Sequence, residues 1–128
     1  MTTEPAAATG DRRATAAFVA VLLLSVVVLF SPRSPGEQGI PNLDKVVHAA
    51  LFALLTAATW WRFGDRSLAL AALLAYGVVS EVAQAVFVPS RDGDVRDVLA
   101  DTAGVLVGWL LSKRLATRRT VRDQLGEP

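Results

Sequence analysis

The sequence has no cysteine, and only one histidine, one methionine and one tyrosine occur among its 128 residues. Without cysteine, a disulfide framework, a thiolate metal site and a thiol nucleophile are all excluded. Net charge is also small, at +1, and the basic residues flank apolar segments instead of lining one face. That distribution does not indicate nucleic-acid binding, so we expect no nucleic-acid partner.

Apolar residues are abundant and occur in blocks. They make up 52% of the chain, and the mean hydropathy is +0.41. Four segments are long enough to cross a hydrocarbon core of about 30 Å; they cover residues 14–30, 44–61, 67–88 and 97–115. The sequence therefore predicts an all-α integral membrane bundle of four transmembrane helices. It forms one domain over residues 14–115, between a disordered cytoplasmic tail (1–13) and a basic cytoplasmic tail (116–128).

Lysine and arginine are distributed unequally between the two sides of this predicted bundle. Nine of them lie in the N-terminal tail, the 62–66 turn and the C-terminal segment from Lys113 onward, against four in the 31–45 and 89–96 segments. Because cytoplasmic loops carry the excess of positive charge, both termini are predicted to be cytoplasmic. We expect a multi-pass protein of the plasma membrane, with the lipid bilayer as its main partner.

Polar and charged side chains gather at the predicted outer ends of spans two to four. They are Asp44, Lys45, His48, Glu81, Gln84, Arg91, Asp92, Asp94, Arg96, Asp97 and Asp101. With a rise of about 1.5 Å per residue, Glu81 lies deepest, about 12 Å below the loop after span three. A charge at the centre of a membrane helix costs about 2.5–3.5 kcal/mol, so such residues are taken as functional by default. The carboxylates outnumber the Lys and Arg of the cluster, and protonation, a charged His48 or a bound cation would relieve that excess.

Helical spacing predicts where the acids of span four point. Asp97, Asp101, Gly104 and Gly108 follow one another at intervals of four, three and four residues, which places them on one face. The Gly-x-x-x-Gly pair allows a second helix to approach closely. The acids should therefore point into the bundle and not toward lipid.

The candidate catalytic residues are His48, Glu81, Asp97 and Asp101. His48 could act as a general base or a metal ligand, or it could hold helices in register through a hydrogen bond to the backbone or to Asp44. Glu81 could exchange protons as an acid or a base, or it could form an ion pair with Arg91, Arg96 or Lys45.

The candidate substrate-binding residues are Asp44, Lys45, Gln84, Arg91 and Asp94. The planar guanidinium of Arg91 suits the phosphate of a lipid or of a lipid-linked cell-envelope precursor; pairing with loop aspartates is the alternative. Asp94 could instead serve to start span four, where a carboxylate is favourable.

A divalent cation is the one cofactor that the pattern suggests. Asp94, Asp97 and Asp101 could bind it together with Glu81 and His48. No recognised ligand spacing fixes such a site, so the ligand set stays open.

Several motifs resemble the VanZ-like family in their order and spacing, over about residues 14–115. They are Asp44-Lys45-x-x-His48, Glu81-x-x-Gln84, Pro89-Ser-Arg91-Asp-Gly-Asp94-x-x-Asp97 and Asp101-x-x-Gly104-x-x-x-Gly108. In that family asparagine is more usual at the position of Asp101, so the resemblance does not imply this charge. The family is named for a protein linked to low-level teicoplanin resistance. The resemblance therefore implies a cell-envelope membrane protein with a link to glycopeptide resistance.

Three classes of function remain open. The first is a membrane-embedded enzyme at the outer leaflet, acting on a lipid or cell-envelope precursor. The second is a non-catalytic protein that binds an amphiphilic antibiotic or lipid. The third is a structural or assembly factor whose polar cluster stabilises helix packing. Transport is a weaker fourth option, because four spans enclose little room and a homo-oligomer would be needed.

Overall fold

Four α-helices account for most of this computed structural model, which describes residues 6–32, 39–88 and 93–126, with side chains from residue 11 onward. The helices are α1 (Ala6–Leu29), α2 (Leu43–Phe63), α3 (Ser67–Phe87) and α4 (Val95–Leu125). No strand occurs within the described ranges, so the all-α prediction is confirmed.

Two helix boundaries differ from those predicted. Helix α1 begins at Ala6, inside the segment predicted to be a disordered tail. Helix α4 continues past Leu115 to Leu125, so most of the predicted basic tail is helical. Leucine, alanine and arginine favour a helix there even without packing partners. Gly126 then ends α4 with a left-handed φ of 67°, a conformation that costs glycine little.

Three of the helices are long and apolar enough to cross a membrane: residues 11–29 of α1, and α2 and α3 over their full lengths. Helix α4 lacks an equally apolar stretch, because its first turns carry Arg96, Asp97 and Asp101 and its second half carries Lys113 and Arg114. Large leucine and valine side chains are exposed along α1, α3 and α4. Exposed large apolar side chains in this number are typical of contact with a membrane.

Helices α2 and α4 form the central pair and pack against each other more extensively than any other two. Gly104 lies so close to α2 that a Cβ there would meet the carbonyl oxygen of Ala49 and lie 3.0 Å from its Cα. A Cβ at Gly108 would lie 2.5 Å from the carbonyl oxygen of Ala53. The predicted packing face of α4 is therefore confirmed, since the glycines let the two backbones touch.

Helices α1 and α3 flank this pair, with α1 against α2 and α3 mainly against α4. The buried apolar core consists of Leu29, Leu51, Phe52, Leu55, Leu73 and Val105. Between the flanking helices, Ser25 Oγ lies 2.9 Å from Tyr76 Oη and forms a hydrogen bond. This polar link connects α1 to α3 within the apolar region.

Two polar contacts join neighbouring elements at one end of the bundle. Arg62 Nη1 lies 3.1 Å from Asp11 Oδ1, so the start of α1 meets the end of α2. Trp109 Nε1 donates to Asp65 Oδ1 across 3.1 Å, so α4 meets the turn between α2 and α3. The opposite end contains the first turn of α2, the last turns of α3 and the first turns of α4, where the polar residues gather.

Candidate functional site

A single lysine forms three hydrogen bonds with carboxylates at the edge of the polar region. Lys45 Nζ donates to Asp44 Oδ2 at 2.9 Å, to Asp94 Oδ2 at 3.0 Å and to Asp97 Oδ1 at 3.0 Å. We call these four residues the lysine cluster. It joins the first turn of α2 to the start of α4, and every proton of the ammonium has a carboxylate acceptor.

Deeper in the bundle, His48 and Asp101 form a buried pair between α2 and α4. His48 Nδ1 lies 2.9 Å from Asp101 Oδ1, the distance at which a ring N–H donates to a carboxylate. Each residue is only 2% exposed. The sequence suggested Asp44 or the backbone as the structural partner of His48. The partner in the structure is Asp101, because α2 and α4 approach each other closely at Gly104.

Glu81 reaches the same region from α3 and is 5% exposed. Its Oε2 accepts the backbone N–H of Asp94 at 3.0 Å. Among the described residues it has no ion pair, and Lys45 pairs with the aspartates instead. We call His48, Glu81 and Asp101 the histidine cluster.

Asp94 connects the two clusters. Its Oδ1 accepts the backbone N–H of Arg96 at 2.9 Å and so caps α4, which was the alternative to substrate binding at this position. Its Oδ2 accepts from Lys45, and its backbone N–H holds Glu81. The Arg96 N–H and then the Lys45 ammonium hold the pKa of Asp94 below its usual range.

The two clusters differ in how well their polar atoms are satisfied. In the part of the chain that the structure describes, Glu81 Oε1 and Asp101 Oδ2 are buried and have no hydrogen-bond partner. Such atoms are rare in native proteins, because a buried acceptor without a donor costs about 1–3 kcal/mol. The lysine cluster therefore stabilises the contact between α2 and α4 through its own hydrogen bonds. The histidine cluster keeps two acceptor atoms that its own hydrogen bonds do not use.

Gly77 contributes to the site, although it was not among the site residues predicted from the sequence. A Cβ at Gly77 would lie 3.3 Å from both Cβ and Oδ2 of Asp101. The glycine thus makes room on α3 for the carboxylate of α4. The available signal was its position four residues before Glu81, which places both on one helix face.

The structure also groups the side chains that could hold a metal ion. One ring nitrogen of His48 and one carboxylate oxygen each from Glu81 and Asp97 lie within 4.8 Å of one another. The three residues belong to α2, α3 and α4, so the grouping exists only in the folded bundle.

Most of the predicted site residues therefore lie together at one end of the bundle. They are Asp44, Lys45, His48, Glu81, Asp94, Asp97 and Asp101. Gln84 is buried on the same face of α3 as Glu81. Arg91 and Asp92 lie outside the described residues, so anion binding by Arg91 stays a prediction.

This fold and site define a class: an all-α protein with three helices of membrane length and a buried acid–base cluster shared by α2, α3 and α4. The sequence profile of the VanZ/LLP1 family matches residues 16–116. The chain belongs to this family, which confirms the resemblance seen in the motifs, and the family is membrane-associated. No curated protein and no solved structure matches the chain.

Proposed function

We propose that the chain is a four-span protein of the plasma membrane with both termini on the cytoplasmic side. Two observations support this topology. The contacts Arg62–Asp11 and Trp109–Asp65 place the start of α1 and the turn after α2 at one end of the bundle, the end for which the positive charge predicts a cytoplasmic location. The acids of α4 are buried against the other helices, so α4 can cross the membrane with its leucine-rich face toward lipid.

The absence of cysteine makes this topology directly testable. We expect Ile40→Cys, in the exposed segment before α2, to react in intact cells with a membrane-impermeant maleimide. Ser67→Cys, at the first residue of α3, should react only after permeabilisation. The cysteine-free parent protein is the control for background labelling. Labelling of Ser67→Cys alone in intact cells would reverse the orientation.

The histidine cluster is the catalytic centre of this proposal, working at the outer leaflet on a lipid or cell-envelope precursor. The observation that carries it is the pair of buried carboxylates, each keeping one oxygen without a partner among the described residues. A group that only held helices together would gain by satisfying those oxygens. A site that receives a substrate or an ion needs them free.

The residues divide into roles that their geometry supports. Asp101 accepts from Nδ1 of His48, which fixes the ring and leaves Nε2 as the nitrogen that takes a proton from substrate or water. Glu81, held at one oxygen by the Asp94 N–H, is placed to supply or accept the second proton. Arg91 is expected to hold the anionic part of the substrate.

The second candidate function is that of a structural or assembly factor. The lysine cluster favours it, because Lys45 is fully satisfied and ties α2 to α4. The two candidate functions predict different effects of a conservative substitution in the histidine cluster on function and on the amount of folded protein. In a structural cluster, loss of function follows loss of folded protein.

We test this with Glu81→Gln, His48→Ala and Arg91→Ala, measuring protection of cells against lipoglycopeptides together with the abundance of each variant in the membrane. Catalysis predicts that Glu81→Gln and His48→Ala lose protection at normal abundance. Val82→Ala, a neighbouring exposed position on α3, should match the parent protein in both measurements.

Two other results would contradict a catalytic role. If Glu81→Gln protects like the parent while Arg91→Ala does not, the protein binds an anion without catalysis. If abundance and protection fall in step for all three variants, the cluster is structural and the catalytic proposal is wrong.

A further inference from the structure

Three potential ligand atoms converge where α2, α3 and α4 meet. One ring nitrogen of His48 and one carboxylate oxygen each of Glu81 and Asp97 lie within 4.8 Å of one another. A tetrahedral ion with bonds of about 2.1 Å holds its ligands roughly 3.4 Å apart. Binding an ion therefore requires these atoms to move closer together by at most about 1.4 Å.

The histidine is arranged as metal-binding histidines usually are. Asp101 engages Nδ1 at 2.9 Å, which leaves Nε2 as the nitrogen for an ion. A ligating histidine generally donates its other ring N–H to a carboxylate, which fixes the tautomer and makes the ligand more basic. Asp101 is then a positioning residue, not a ligand.

Both carboxylate ligands are anchored at one oxygen and have the other to offer. Glu81 Oε2 is held by the backbone N–H of Asp94, while the buried Oε1 has no partner among the described residues. Asp97 Oδ1 is held by Lys45. One oxygen of each side chain thus sets its orientation and leaves the second for an ion.

Charge favours a cation at this position. Three carboxylates surround Lys45, and the histidine cluster adds two more at 5% exposure or less. Buried carboxylates are stable when they are paired or when they coordinate a metal. A dication among Glu81, Asp97 and Asp101 would offset the excess that the ammonium of Lys45 leaves.

We propose that His48, Glu81 and Asp97 bind one divalent transition-metal ion, with Asp101 and Asp94 orienting two of these ligands. Imidazole favours zinc and its neighbours, whereas carboxylates favour harder ions such as manganese, so the mixed set fits Zn²⁺ or Mn²⁺. Three protein ligands leave a position open for water or a substrate oxygen. The inference rests on the proposed function for its biological use, because it supplies a cofactor to the same site. In the metal-loaded protein Nε2 of His48 would be a ligand and not the general base, and the ion would instead supply an activated water molecule.

The experiment uses the full chain, purified in detergent without a polyhistidine tag and stripped with EDTA. Binding of Zn²⁺ and Mn²⁺ is measured by calorimetry, and Mn²⁺ also by electron paramagnetic resonance, with Mg²⁺ and Ca²⁺ as comparison ions. We expect one Zn²⁺ or Mn²⁺ per chain and a higher melting temperature for the loaded protein. No binding by the folded parent protein, or binding of Mg²⁺ and Ca²⁺ alone, overturns the inference without reference to any variant.

The variants separate ligands from positioning residues. His48→Ala and Glu81→Gln should abolish stoichiometric binding, whereas Asp101→Asn should weaken it by about 10–100-fold, the usual effect of losing a partner of the ligating histidine. Asp123→Asn, an exposed acid near the end of α4, is the matched control and should bind like the parent. Binding that survives in a folded His48→Ala variant shows a metal at another surface and overturns the assignment.

Failure of this inference can be distinguished from failure of the proposed function. If the parent binds no metal but Glu81→Gln still loses protection at normal abundance, the metal site is wrong and the acid–base site stands. If the metal binds as expected but Glu81→Gln protects cells normally, the metal site stands and the catalytic proposal is wrong.

Discussion

Gly104→Ala should strongly reduce the amount of folded protein. The added methyl group would meet the backbone of Ala49, and a backbone atom cannot move aside as the end of a flexible side chain can. Helices α2 and α4 would have to separate, and overpacking of this kind costs about 1–3 kcal/mol. Since His48 adjoins Ala49 in sequence and Asp101 lies one turn before Gly104, the separation should also pull the buried pair apart.

The measurement is membrane abundance and melting temperature in detergent. Ala103→Val is the matched control, because it adds two carbons one residue away on an exposed face of α4. We expect the control to behave like the parent protein. A Gly104→Ala variant with parental abundance and melting temperature would show that α2 and α4 do not pack as closely as described.

Lys45→Met should have the second large effect, through the lysine cluster. The substitution keeps an unbranched side chain up to the ε position but leaves Asp44, Asp94 and Asp97 without the ammonium that lies within 3.0 Å of each. Removing one partner of a fully buried ion pair costs about 3–5 kcal/mol. These side chains are partly exposed, so water offsets part of the loss, and we expect about 2 kcal/mol.

This loss should appear as lower abundance and a lower melting temperature, with protection of cells falling in proportion. Lys113→Met is the matched control, since Lys113 is exposed and its ammonium lies over the ring of Trp109 with no carboxylate partner among the described residues. A Lys45→Met protein that stays abundant but loses protection would show that Lys45 takes part in function and not only in stability.

Gly104 and Lys45 stabilise the folded bundle, whereas the variants of the histidine cluster test function. The distinction follows from how the polar atoms are satisfied. Lys45 donates to three carboxylates, and Asp94 bonds Lys45 and the backbone N–H of Arg96. Glu81 and Asp101 each keep a buried oxygen that no described group uses, and a ligand would complete them.

Much of the candidate site could be predicted from helical periodicity and the order of the spans. Charges placed at the start of α2, the end of α3 and the start of α4 must meet at one end of an antiparallel bundle. The spacing of Asp97, Asp101, Gly104 and Gly108 predicted that the acids face a neighbouring helix, and they are buried there. The N-terminal cap by Asp94 was likewise predictable from its place before α4.

The pairing of these residues could not be predicted, because it depends on distances between helices. The sequence offered Asp44 as the partner of His48, on the same helix face, and Lys45 as a partner of Glu81. In the bundle, the contact at Gly104 brings Asp101 to His48, and Lys45 turns to the aspartates at the start of α4.

By itself the sequence determined the helical class, the family and the end of the molecule at which the charges collect, since hydropathy and residue spacing act along the chain. The tertiary structure alone decided which carboxylates are satisfied and which keep a free oxygen. That difference arises from how closely α2, α3 and α4 approach one another, which glycines at the contacts permit. Local pattern predicts which residues share a helix face, and only packing decides which atoms touch.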